Sequence, residues 1–238
     1  MGGELESIGF AEARSALVWW LEAGVDTAFQ EEPRDWLRPA PAKAPSQISE
    51  PTLPNVAQPT HETLAELQDW LSSSTQLPLA SATARRIMPQ GPENPAIMLL
   101  SEAPTLEDFA AGQPIGGEAW ELLKRMLAAI KISASEVYSA SLSCFHVPGA
   151  RMNASDRETC AEISRRHVQL AKPKRLLLLG DGPAQALLGK PLPQARGHVH
   201  KVEGVRTIAT FHPRQLIHQP SNKSLAWKDL LLLMENEI

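Results

Sequence analysis

RLLLLGDGPAQALLG, residues 175–189, is the stretch on which the fold turns. Leucines 176–179 run without a polar interruption to Gly180, and PAQALLG (183–189) comes next as a short helical pattern closed by glycine. An apolar run with no alternation reads as a strand covered on both faces, and a strand feeding straight into a helix is half of a parallel unit. The same grammar recurs on either side. AIMLLSE (96–102) is a strand leading into a polar loop, EAWELLKRMLAAIKI (118–132) has helical spacing, and VYSASLS (137–143) is strand-like. SDRETCAEISRRHVQLA (155–171) reads as a helix with Ser155 as its cap, VRTIATF (205–211) as a last strand, and 222–237 as a closing helix. The expectation is an α/β fold, a three-layer αβα sandwich around a short parallel sheet of about four strands.

Outward from this block the text changes. FAEARSALVWWLEAG (10–24) places Leu17, Trp20 and Leu21 on one helical face, so 1–37 is expected to be an N-terminal helical segment. Residues 38–60 hold six prolines and no apolar period, the composition of an extended linker. A short amphipathic helix is expected near 62–73, opening a domain that runs over 61–238. Of 238 residues, 43% are hydrophobic and 21% charged, enough to bury a core. Two cysteines exclude a disulfide framework, no secretory leader pattern opens the chain, and no apolar run is long enough to span a bilayer. A cytoplasmic protein with no membrane association is expected. Net charge is −4, but residues 1–89 carry 6 Lys/Arg against 12 Asp/Glu while 90–238 carry 17 against 15. The second part is therefore slightly basic, and it holds six of the seven histidines.

In parallel sheets ligands bind beyond the carboxyl ends of the strands. That rule selects SEAPTLED (101–108), SCFHVPGAR (143–151), GDGP (180–183) and FHPRQL (211–216) as the functional rim. His212-Pro213 stands at a strand exit. GDGP has no lysine and no glycine-rich context to cradle a phosphate, so a nucleotide site there is a weak reading. His146, His198 and His200 read as surface residues, Glu107 as part of a solvated turn, and Trp120 with Leu123 and Leu127 as core.

Taken together these loops resemble the family 4 branch of the uracil-DNA glycosylase superfamily. SEAPTLEDFAAGQPIGGEAWELLKRML (101–127) is similar to the family's GEAPG stretch with acidic residues and a G-x-P-F-V-G turn. LLLLGDGPAQALLG (176–189) resembles its ALGxTAAxALLG segment. Arg196-Gly197 and TFHPRQLIHQPSNKSLAWKDL (210–230) match its closing HPSxLL…AWxDL motif. The likeness covers about residues 74–238, and WLEAGVD (20–26) is similar to an N-terminal piece of some bacterial members.

The resemblance implies a base-excision enzyme that flips deoxyuridine out of DNA and hydrolyses its glycosidic bond. Its substrate would be single-stranded or uracil-containing duplex DNA, met by a monomer associated with the nucleoid. His212 would donate to the uracil oxygen on which charge develops, and Glu102 and Asp108 would orient water or stabilise the cationic sugar. Ala103 and Pro104 would shape the pocket, with Ile115 over the base where the family has phenylalanine. Ser141, or Ala140 beside it, stands nearest the family's base-reading asparagine. Leu216 or Ile217 would be the wedge that fills the flipped base's place. Arg196, Arg214 and Lys223 would meet phosphates. The family carries a four-cysteine iron–sulfur cluster. Cys144 and Cys160 keep the spacing of two ligands, but the other two positions fall at Ser74 and Leu77, so no cofactor is expected. The erosion of base-reading positions keeps a second reading open, a non-catalytic relative that binds DNA or a protein partner.

Overall fold

The computed structural model describes residues 61–81, 84–146 and 152–235. The chain divides into two units, Met1–Thr52 and Leu53–Ile238, and every described residue belongs to the second. The expected N-terminal helix (1–37) and Pro-rich linker (38–60) lie outside the described residues.

The element order is α1 (Leu64–Ser73), β1 (Arg85–Arg86), β2 (Ile97–Ser101), α2 (Leu106–Ala111), α3 (Gly117–Ala129), β3 (Val137–Ser141) and β4 (Phe145–His146). It continues with α4 (Ala154–Ala171), β5 (Arg175–Leu179), α5 (Asp181–Leu188), α6 (Leu192–Ala195), β6 (His200–Val202), β7 (Val205–Thr210), α7 (Pro213–His218) and α8 (Lys223–Met234). The central sheet runs β3-β2-β5-β7-β6. Its first four strands are parallel, as the apolar runs required, and β6 adds an antiparallel edge through a hairpin with β7.

Alternation along each strand builds two apolar layers. Met98, Leu100, Leu176 and Leu178 face one side with Tyr138 and Ala140, where α4, α5 and α6 cover them. Ile97, Leu99, Leu177 and Leu179 face the other, against Leu123 and Leu127 of α3 and Leu230 and Leu233 of α8. All eight strand side chains are buried, which is why the sequence shows leucine runs and no polar alternation. Trp120 packs partly buried against the second layer.

A third apolar cluster joins Leu67 and Leu71 of α1 to Leu77, Cys144, Phe145 and Ile163. Polar contacts fasten the same dock. Gln68 donates to Tyr138 Oη at 2.8 Å, and that hydroxyl is hydrogen-bonded to His167 Nε2 at 2.7 Å. Arg86 donates to the Leu71 and Ser74 carbonyls that close α1, each at 2.7 Å. The cap of α4 is Asn153, whose side chain accepts from Asp156 N, rather than Ser155. Among the described residues no helix is long and apolar enough to cross a membrane.

Candidate active site

Three strand exits converge on one cavity of about 700 Å³, whose wall includes Glu102, Ala103, Arg157, Asp181, His212 and Arg214. Each strand delivers its residue differently. β2 ends at Ser101, and Glu102 lies beyond it, exposed and folded across the start of α5. A Cβ at Gly182 would stand 2.5 Å from Glu102 Cδ, so the carboxylate holds its place only because residue 182 has no side chain. β5 ends at Leu179, and Gly180 follows with φ of 95°, a backbone conformation suited to glycine, in a turn that lets α5 begin directly beside the cavity. β7 ends at Thr210, and two residues later His212 caps α7, a short helix with Pro213 in its first turn.

The capping geometry fixes the tautomer of His212. Its Nδ1 accepts from the Arg214 backbone N–H at 3.2 Å, so the neutral ring carries its hydrogen on Nε2. That Nε2 is buried and has no hydrogen-bond partner among the described residues. Burial, reinforced by the Arg214 charge and opposed by Asp108, pushes the imidazole down to about 4. The ring is thus a neutral donor at ordinary pH, held at the cavity with its N–H unspent.

Asp108 plays a different part from the one its motif position suggested. It is fully buried, and both oxygens are occupied. Oδ2 accepts from Thr105 N at 2.7 Å and Thr105 Oγ1 at 2.9 Å and pairs with Arg214, while Oδ1 accepts from Gly116 N at 2.5 Å. A carboxylate so engaged has no lone pair directed at water. Asp108 is the clamp that joins the β2 loop, the Gly116 turn and α7, and Arg214 is its counter-ion.

Other expected site residues also fall elsewhere. Ile115 is 1% exposed and belongs to the apolar layer with Leu123 and Leu127, because the Gly116 turn that precedes α3 points it inward. Ser141 is buried, its hydroxyl 2.8 Å from that of Ser101, its registered neighbour across β3 and β2. Leu216 is 1% exposed and packs inward from α7, whereas Ile217 lines a smaller cavity of about 330 Å³ with Leu106 and His218. Arg196 donates to both oxygens of buried Asp229 and to the Leu225 carbonyl, and lies 5.0 Å from the Phe211 ring centre. Asp229 accepts from Thr210 Oγ1 as well, so the arginine and the aspartate are one internal pair that ties the end of α6 to α8 and the end of β7. Lys223 is exposed at the start of α8. Pro104 is buried, and its carbonyl accepts from His146 Nδ1 at 2.9 Å, so His146 braces the β2 loop rather than standing free.

Sequence reasoning missed Arg157, Asp181, Gln185 and Gln215. Asp181 accepts from Leu192 N at 2.7 Å and from Gln185, and Gln185 in turn accepts from Arg157 at 3.1 Å. Gln215 lines the main cavity from α7. The GDGP turn at the rim was the signal for Asp181; the helical spacing of Arg157 gave none.

The donor set does not fit an iron–sulfur cluster. A four-iron cluster takes four thiolates, and the sequence holds two cysteines, Cys144 and Cys160, both buried. Leu77 is packed with Cys144 in the third apolar cluster, and Ser74 Oγ accepts from Gln76 N in the turn after α1. Among the described residues no group of three or more His, Cys, Asp or Glu is arranged to hold a metal ion.

The family model described as Uracil DNA glycosylase superfamily matches residues 88–232, more than half of the sequence, and the chain belongs to that superfamily. Among named relatives it is similar to the Type-4 uracil-DNA glycosylase of Pyrobaculum aerophilum, 23% identical over 180 residues, 71% of this chain and 92% of that protein. The Type-4 uracil-DNA glycosylase of Archaeoglobus fulgidus is 27% identical over 141 residues, 55% of this chain and 71% of that one. That of Thermotoga maritima is 24% identical over 170 residues, 69% and 88% of the two chains.

Proposed function

We propose that this protein is a DNA N-glycosylase of base-excision repair, which hydrolyses the bond between deoxyribose and uracil or another deaminated base. The observation that carries the reading is the buried, unpartnered Nε2–H of His212 at the cavity that Glu102 also lines. Such a donor costs stability unless something accepts from it, and a base oxygen that gains charge as the bond breaks is a fitting acceptor.

The base would enter the cavity flipped from the stack. As the glycosidic bond lengthens, its electron pair moves into the base, and the His212 N–H meets the oxygen where that charge collects. The sugar carbon becomes cationic and takes a hydroxyl from water, and the water's remaining proton is released to Glu102 or solvent before the base is neutralised. Glu102 is the one acidic side chain of the expected pair that is open to the cavity. Ala103 and the braced Pro104 loop set the wall beside it. Asp108 and Arg214 hold the frame, Ile217 is the candidate wedge, and Lys223 a phosphate contact. In this reading residues 61–238 form the catalytic domain, acting as a monomer on nucleoid DNA.

The withdrawal of Ile115 and Ser141 from the base favours, as a second reading, a relative that binds DNA without cleaving it. Excision assays on single-stranded and U:G duplex oligonucleotides, wild type against His212→Ala, separate the two. The glycosylase reading expects release of uracil by the wild type and a loss of about 100-fold or more in the variant. No release above the variant on uracil, hypoxanthine or xanthine would leave the binding reading in its place.

A further inference from the structure

With Ile115 packed in the core and Ser141 buried against Ser101, neither lines the cavity, which needs another means of telling one base from another. Two side chains of the α7 cap and first turn supply it. His212 Nε2 and Arg214 Nε are both buried without a hydrogen-bond partner among the described residues, and both residues line the 700 Å³ cavity. Arg214 cannot swing away to satisfy itself. Its terminal nitrogen is held by Asp108, which Thr105 and Gly116 hold in turn, and its own backbone N–H is fixed to His212 Nδ1. The Arg214 side chain is 24% exposed and ion-paired within the protein, a poor arrangement for a mobile phosphate contact.

We propose that Arg214 is the base-selecting residue of the site, its Nε–H forming with the His212 Nε2–H a two-donor receptor for a carbonyl-bearing nucleobase. The proposal rests on the glycosylase reading of the cavity and specifies its substrate class. Two donors accept a ring that presents carbonyl oxygens, as uracil, xanthine and hypoxanthine do. They reject cytosine or adenine where an exocyclic amine would bring a third donor against them. Selection by donors on the His-Pro helix would take the place of an amide reader on β3.

The test uses the full-length protein and free bases as probes. Arg214→Lys keeps the charge and the reach to Asp108 but has no Nε–H. The expected result is uracil binding by the wild type, at least tenfold weaker in Arg214→Lys, with cytosine bound by neither. In the nitrogen–proton spectrum of the wild type, a buried arginine Nε–H signal moves on adding uracil and stays on adding cytosine, a readout independent of how well the variant folds. Uracil bound equally by both proteins, cytosine bound as well as uracil, or an unmoved Nε–H signal overturns the receptor. Excision kinetics add a separate arm. A fall in kcat with unchanged KM for DNA and unchanged salt dependence supports the receptor, whereas a changed salt slope makes Arg214 a phosphate contact instead. Excision that needs His212 but proceeds at full rate in Arg214→Lys removes the receptor and leaves the glycosylase standing. Arginine-dependent uracil binding without excision does the reverse.

Discussion

Glu102 rests on Gly182 so closely that a side chain at 182 and the present position of the carboxylate exclude each other, the would-be Cβ lying 2.5 Å from Cδ. The β2 loop and the first turn of α5 are thereby set against one another at the floor of the cavity. The contact is with the end of a flexible side chain, so the protein can yield to a methyl group by moving Glu102.

Gly182→Ala should therefore fold normally and act poorly. Alanine is the better helix former by about 1 kcal/mol, which offsets the cost of displacing the carboxylate. A catalytic group moved by about an ångström costs on the order of 100-fold in rate. Thermal unfolding together with uracil excision checks this, and full activity in the variant would remove Glu102 from the mechanism.

The two buried imidazoles set an acid limit. Burial pushes both His167 and His212 down from 6.5 to about 4. In the unfolded chain each takes up a proton near 6.5, so the unfolded state binds more protons than the folded one below that value. Stability on their account is complete above about pH 6.5 and is lost as pH falls towards 4, by about 3 kcal/mol for His167. Urea unfolding between pH 7 and 4.5 should show the decline, and His167→Gln should flatten it. Excision should show no inflection from His212 between pH 5 and 8, because the donor is already neutral there. An inflection near 6.5 would contradict that assignment.

Ile115→Phe restores the residue of the family motif but should not restore a stacking platform. Ile115 lies among Leu123, Leu127 and their neighbours at 1% exposure, and a ring there overpacks the layer. The expected cost is about 1–3 kcal/mol of stability with no gain in affinity for uracil-containing DNA. Tighter binding in the variant would mean the turn before α3 opens to admit the base.

The α1 dock should stand without iron. Its fastening is the Leu67, Leu71, Leu77 and Phe145 cluster together with the Gln68–Tyr138–His167 chain. Tyr138→Phe leaves Gln68 and His167 without their buried partner and should cost about 1–3 kcal/mol. Expression under iron limitation should leave the melting temperature unchanged. A visible iron–sulfur absorbance band with stoichiometric iron would refute the donor-set argument.

The sequence by itself determined the sheet and the place of the site. Leucine runs at 97–101 and 175–179 could be buried only between two helical layers, and the chain direction then put the 101–108, 180–183 and 211–216 loops at one rim. Local pattern also marked His212, a histidine before proline at a strand exit, while its capping of α7 came only with the structure. Tertiary structure decided how the rim residues are used. Asp108 reads as an acid beside its motif and proves to be a clamp, because its partner Arg214 lies 106 positions away. Leu216 and Ile217 are adjacent in sequence, yet Leu216 is buried and Ile217 half-buried at the smaller cavity, a distinction set by which face of α7 meets the core. Ser141 is consumed by Ser101 through strand register, and Arg196 by Asp229 through the packing of α8. Periodicity reports which residues must be buried; the pairing of polar groups depends on distances between segments that no local window contains.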